Sequence, residues 1–255
     1  MKYSMFSWFG YFMPFEDRIK IIADAGFEEA MISWEDEFEP WVLKKEEFPE
    51  LVRKNGLEIT NSHAPFIGYN DIWTASRMEI QPKLREFIGF IKDCRDFEIP
   101  TMVMHTNDLD EFKPDLDKGR AFFSELADAA EKYDVDLAVE NVSRQHLLDY
   151  LLEQIDAPRF GMCYDSSHDF LEKQNCGRIL KKYKHRIKAL HLSDNDFQAD
   201  RHWIPGEGSI PLDEVMAEIM TVPTIETISY EVLANEVWQK KEPRDFAVAV
   251  RKSLQ

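Results

Sequence analysis

Short apolar runs in this 255-residue chain end repeatedly in an imidazole or a carboxylate. Asn61-Ser62-His63, His105, Glu140-Asn141, Asp165 with His168 just beyond it, His191 and Glu231 close six such runs, and Asp200-Arg201-His202 follows the run that ends in His191. Five of the seven histidines, His63, His105, His168, His191 and His202, fall at these points. A single histidine at a strand end is ordinary; a set of this kind is hard to assign to core packing. Carboxylates brought together repel and hold protons near neutrality unless a divalent cation supplies the opposing charge. Imidazole mixed with carboxylate suits zinc, manganese, cobalt or iron, and the three cysteines, Cys94, Cys163 and Cys176, form no Cys-x-x-Cys pair that would point to a thiolate zinc site.

Glu140, Asp165, His191 and Glu231 are the expected metal ligands, because four successive strands can carry them around one point. The rival for this quartet is a hydrogen-bonded polar plug. His63 and His105 could add a second ion bridged by Glu140, and His168, Asp200 and His202 a third. Asp200-x-His202 places both side chains on one side of an extended segment. The other role for these five residues is hydrogen bonding to a polyhydroxylated substrate.

Positioning such residues requires a regular frame, and the chain alternates strand-like and helix-period segments from end to end. The expected strands are Tyr3 to Phe9, Glu29 to Trp34, Glu58 to His63, Thr101 to Thr106, Asp136 to Asn141, Arg159 to Asp165, Ile187 to Ser193 and Thr227 to Val232. Several are apolar at consecutive positions, as strands covered on both faces must be. Among the helices, Gly119 to Tyr133 is the clearest. It gathers Phe122, Phe123, Leu126, Ala129 and Ala130 on one stripe and leaves Glu125, Asp128 and Glu131 off it. Ile19, Ile22 and Ala23 before Gly26, and Leu51 and Val52 before Gly56, mark two further helices with glycine stops. Eight β/α units fill residues 1–255 without a linker, so a single-domain closed (β/α)₈ barrel, a TIM barrel, is expected, with its chemistry at the C-terminal ends of the strands.

Composition narrows the partners. A net charge of −17 opposes attraction to nucleic acid, whose binding rests on Lys and Arg displacing counterions. No apolar run approaches the roughly 20 residues of a membrane span, and Met1 to Met13 leads to Pro14 without a small-residue cleavage site. With an odd number of cysteines, a cytoplasmic protein without a membrane partner is expected. Oligomeric state has no handle in the sequence.

The motifs His63-Ala64-Pro65-Phe66, Glu140-Asn141, Cys163-Tyr164-Asp165-Ser166-Ser167-His168, His191-Leu192-Ser193-Asp194 and Asp200 through Gly208 resemble the xylose-isomerase-like TIM barrels, in particular the sugar phosphate isomerase/epimerase group. They also share features with the endonuclease IV branch of apurinic-site nucleases. The first resemblance implies an enzyme of carbohydrate metabolism with one divalent ion, Mn, Zn, Co or Mg, held by Glu140, Asp165, His191 and Glu231. The two glutamates would be catalytic, moving protons through an enediolate of a small sugar or sugar phosphate. His168 and His202 would orient substrate hydroxyls, with Trp8, Phe66 and Trp203 walling the pocket. The second resemblance implies three zinc ions on all nine positions, and this chain matches each. Against it stand the acidic charge and the lack of an obvious basic stripe for DNA. Another metal-dependent reaction of this barrel family and a non-catalytic metal- or sugar-binding barrel are the remaining alternatives. An unphosphorylated sugar, polyol or keto-sugar fits at least as well as a sugar phosphate, since the segment after the seventh run carries Gly206-Glu207-Gly208 and the nearby cations are Arg144 and Arg201.

Overall fold

A computed structural model describes residues 1–108, 110–172 and 176–254. Eight strands, β1 (Lys2–Phe6), β2 (Glu29–Ser33), β3 (Glu58–His63), β4 (Thr101–His105), β5 (Asp136–Glu140), β6 (Phe160–Asp165), β7 (Ile187–His191) and β8 (Thr227–Tyr230), form one parallel sheet in the order β7-β6-β5-β4-β3-β2-β1-β8. Leu192, just past β7, closes the ring: its N–H donates to Ser229 O at 2.9 Å and its carbonyl accepts from Glu231 N at 3.2 Å. The result is the expected single-domain (β/α)₈ barrel.

The helices between the strands are α1 (Phe15–Asp24), α2 (Phe48–Lys54), α3 (Asn70–Thr74), α4 (Arg77–Asp96), α5 (Leu116–Tyr133), α6 (Gln145–Gln154), α7 (Ser166–Leu171), α8 (Arg178–Tyr183), α9 (Leu212–Ile219) and α10 (Pro243–Lys252). α5 buries the whole predicted stripe and leaves Asp128 and Glu131 exposed. It starts three residues before Gly119, because the Asp115 carboxylate accepts from Asp117 N and Lys118 N and caps the end. α1 and α2 stop as expected, with Gly26 and Gly56 at φ +88° and +79°, where a side chain would be strained.

Inside the ring, Val103, Ala138, Cys163 and Ala189 make a small apolar cluster of their own. Each lies two residues before a polar strand end, namely His105, Glu140, Asp165 and His191. Successive strand residues alternate faces, so these four polar groups must point inward above the apolar layer. The register agrees: His105 pairs with Glu140, and Asp165 with His191. No described helix is long and apolar enough to cross a membrane.

Candidate active site

Glu140, Asp165, His191 and Glu231 converge at the C-terminal mouth, each with one ligand atom within 4.8 Å of every other. They are nearly sealed from solvent, at 1%, 0%, 2% and 7% exposure. Their positions are fixed locally. Asp165 caps α7, one carboxylate oxygen accepting from His168 N at 2.7 Å. Asn141 bridges the ends of β5 and β6, donating to Asp165 O at 2.8 Å and accepting from Asp165 N at 2.7 Å. Glu231 lies one residue beyond β8 and is held in register by the Leu192 carbonyl.

The polar atoms crowd together without being aligned to bond one another. His191 Nδ1 lies 3.0 Å from Glu231 Oε2 and 3.5 Å from Glu140 Oε2, and His168 Nδ1 lies 3.1 Å from Glu140 Oε1. Even so, Glu140 Oε1, Asp165 Oδ2, His168 Nδ1 and His191 Nδ1 are buried with no geometrically sound hydrogen bond among the described residues. An unmet buried polar atom costs about 1–3 kcal/mol, so such atoms on Glu140, Asp165 and His191, members of one convergent set, call for a shared partner.

His63 makes the same case from its tautomer. Its Nδ1 is 2.6 Å from the Ala64 carbonyl, which can only accept, so Nδ1 carries the hydrogen. In the neutral ring Nε2 then presents a lone pair to Glu140 Oε2 at 3.1 Å, an arrangement that needs a proton or a cation between the two atoms. His63, Glu140 and His191 form a second convergent set. His105, expected beside His63 as a ligand, stands 3.7 Å from Glu140 Oε2 and packs its ring on His63, Phe66 and Tyr69. It lies outside the convergent sets found among the described residues.

His168, Asp200 and His202 make the third set. Asp200 Oδ2 receives His168 Nε2 at 3.0 Å and His202 Nε2 at 2.9 Å, while Ser167 Oγ donates to Oδ1 at 2.7 Å. His202 is held in the left-handed region, φ +48°, with Nδ1 3.0 Å from the Glu231 carbonyl. Such backbone strain in a non-glycine residue is typical of functional positions.

Charge balance within the cluster follows from these contacts. Burial works to protonate Glu140 and Glu231, but the adjacent His191 prevails, holding Glu140 well below the carboxylate range and Glu231 down to about 2. Burial, reinforced by Glu140, pushes Asp165 up to about 7 despite His168. His202 is raised to about 10 against its burial by the Asp200 hydrogen bond and the Glu231 charge, whereas burial drives His105 down to about 4. Protons on His168, His191 and His202 therefore balance the carboxylates when nothing else does. A divalent cation bound by the same atoms can replace those protons, and the hard oxygen and imidazole donors suit it.

Of the aromatic residues expected at the wall, Phe66 stacks on His63 with centroids 4.3 Å apart, and Trp8 lies further out, over the Arg18 guanidinium at 4.9 Å. Trp203 follows His202 and carries Arg201 at 5.7 Å. Both candidate phosphate cations are already paired, Arg144 with Glu111 at 2.6 Å and Arg201 with Asp196 at 3.2 Å.

Sequence reasoning assigned no role to Asp194, Ser167 or Arg18. Asp194 gathers the loop after β7 by accepting from Gly206 N, Gly208 N and Ile210 N at 2.9–3.0 Å. A Cβ at Gly208 would fall 2.3 Å from Asp194 Oδ1, so the close approach requires glycine. Arg18 stands on the apolar side of α1 between Phe15 and Ile22, 1% exposed; that shared helical face was the available signal.

Comparison with known proteins agrees with this architecture. The family description "xylose isomerase-like TIM barrel" matches residues 19–246, and the chain belongs to that family. Among curated relatives, fructoselysine 3-epimerase of Escherichia coli O157:H7 is 29% identical over 105 residues, a segment spanning 38% of each chain. The D-psicose 3-epimerase of Clostridium cellulolyticum H10, solved with D-tagatose, superposes with a TM-score of 0.78 at 14% identity over 100% of this chain and 97% of its own. A xylose isomerase-like TIM barrel/4-hydroxyphenylpyruvate dioxygenase fusion protein gives 0.80 at 18% identity, the present chain spanning 42% of its length. At such identities the superpositions establish the fold.

Proposed function

We propose that the protein is a divalent-metal-dependent ketose epimerase acting at the carbon next to the carbonyl. The observation that carries this reading is the approach of both Glu140 and Glu231 to His191 Nδ1, at 3.5 and 3.0 Å, within one convergent set of buried ligand atoms. Glu140, Asp165, His191 and Glu231 would hold the ion. A bound divalent cation supplies Lewis-acid stabilisation of negative charge on sugar oxygens, worth several kcal/mol.

The chain's own groups do the rest. Inverting a carbon next to a carbonyl needs a base on one face and an acid on the other. One glutamate, kept ionised by its imidazole neighbour, takes the C3 proton while the C–H electrons move into the enediolate of the sugar. The other glutamate, after taking up a proton from solvent, would return it to C3 from the opposite face as the carbonyl reforms, and the first would release its proton to solvent. Each positioned acid or base contributes about 10²–10⁴ in rate. His168 and His202, tied to Asp200, would hold hydroxyls of the substrate. The 3-epimerases among the relatives and structural neighbours support C3 as the carbon inverted. Incubating the protein with a divalent metal and fructose, psicose or tagatose in D₂O tests it directly: deuterium should enter at C3 and the 3-epimer should accumulate. Absence of exchange with every ketose and ketose derivative tested, at full metal loading, refutes the reading.

The His168–Asp200–His202 set is the observation that favours the nuclease alternative, since it offers a separate place for a further ion. Metal analysis separates the two: about one equivalent per chain agrees with the epimerase, and three of zinc together with incision of an apurinic oligonucleotide with the nuclease.

A further inference from the structure

Beside the ligand cluster, separated from it by Phe66, lies a second cavity of about 250 Å³ whose lining includes Ser7, Trp8, Arg18, Glu35, Glu37 and Phe66. Phe66 stacks on His63 and also faces this cavity, so the two spaces share a wall. Arg18 is 1% exposed, beneath Trp8 and paired through Nη2 with Glu37. Its Nε and Nη1 are buried and have no hydrogen-bond acceptor among the described residues. A guanidinium carries five N–H donors, and burying most of them unmet makes sense only where an acceptor arrives from outside. The carboxylates beside it give the cavity mixed charge. Asp36 is engaged by Lys44 Nζ at 2.6 Å and by Lys45 N at 3.1 Å, whereas among the described residues Glu35 has a single long 3.5 Å contact, from Ser33 Oγ.

One guanidinium among carboxylates suits neither a phosphate dianion, which Glu35 and Glu37 would repel, nor a plain hydroxymethyl end, which would leave Arg18 unmet. It suits a zwitterion. We propose that this cavity is the distal subsite of the barrel and receives the α-amino-acid head of a ketosamine, a sugar joined through nitrogen to an amino acid. The carboxylate would lie against Arg18 Nε and Nη1, and the ammonium against Glu35 and Glu37. The inference rests on the epimerase reading and deepens it, naming the substrate class for that same site.

The test compares substrates on the wild-type, metal-loaded protein by deuterium incorporation at C3: Nε-fructosyl-lysine, the corresponding adduct of cadaverine, which lacks only the carboxylate, free fructose and fructose 6-phosphate. The lysine adduct should exceed the cadaverine adduct in kcat/KM by about tenfold or more, the worth of a charged hydrogen bond, and fructose 6-phosphate should be the poorest. In Arg18→Met the lysine-to-cadaverine ratio should fall close to one, with part of it restored in Arg18→Lys. Glu37→Gln, which leaves the buried cation in place, should lower kcat/KM for both amine-bearing adducts relative to fructose. Equal rates for the two adducts in the wild type, with fructose still exchanging, overturn the subsite and leave the epimerase reading standing. No exchange with any of the sugars overturns that reading and the subsite with it.

Discussion

At the floor of the barrel, Glu29 is 7% exposed, yet Lys2 Nζ stands 2.9 Å from one of its oxygens and the hydroxyls of Thr60 and Thr227 stand 3.0 and 2.9 Å from the other. At the mouth, Glu140 and Asp165 are as deeply buried, but each leaves one oxygen without a sound hydrogen bond beside two imidazole nitrogens in the same condition. The same side-chain chemistry, at opposite ends of one barrel, is satisfied in one place and left open in the other. A buried carboxylate with its partners in place contributes to a unique fold, whereas one held open by its neighbours is poised for an external ligand. The difference therefore separates satisfied from unsatisfied buried charge without reference to any relative.

The sharpest way to break the comparison is Glu140→Gln or Glu231→Gln. Either should reduce C3 deuterium exchange by about 10³-fold while far-ultraviolet circular dichroism keeps the wild-type shape, because the amide cannot carry the proton. Full exchange in both variants would return these residues to the structural class.

Metal addition is the next largest effect. An ion at a hundred times its Kd stabilises the folded state by about 2.7 kcal/mol, for a chain of this size a rise in Tm of roughly 5–10 °C. The rise should vanish in His191→Ala and survive in Glu29→Gln. A shift of equal size in both variants would place the ion elsewhere.

At the floor the expected change is in stability alone. Glu29→Gln loses the ion pair with Lys2 and leaves an amide among hydroxyls, costing about 1–3 kcal/mol in urea unfolding. Its kcat for ketose exchange should stay at the wild-type value. A fall in kcat without loss of stability would erase the distinction between the two ends.

How far the sequence reveals this layout depends on which force places each residue. The barrel and its polar mouth are legible because period-two alternation sets which strand residues face inward, and the donors close the strands. The strand ends are less so: the runs were expected to continue to Phe9, Asn141, Ser193 and Val232, but the paired strands stop at Phe6, Glu140, His191 and Tyr230. Phe9 and Val232 are fully buried all the same, as members of the main hydrophobic core, so their apolar character reports burial and not strand pairing. Arg18 is the harder case. Its charge suggests the solvent side of α1, and only the fold brings Trp8 and Glu37 over it from two other loops. Asp194 likewise acts on the backbone N–H groups of residues 12–16 positions ahead, a relation with no periodic signature.

The smallest effect tests the boundary between the satisfied and open classes. Asp200 belongs partly to each: Ser167 Oγ satisfies Oδ1 at 2.7 Å, while Oδ2 faces two imidazoles. Ser167→Ala removes one hydrogen bond to a charged acceptor, expected to be worth about 1 kcal/mol because the histidines remain. If Asp200 serves to orient His168 and His202 toward substrate hydroxyls, KM for the ketose should rise severalfold with kcat nearly unchanged and metal content unaltered. If it instead ligates an ion of its own, the same substitution should lower the metal content retained after dialysis. Titrating the variant with ketose and measuring bound metal in one preparation therefore assigns the third set of ligands to substrate or to cation.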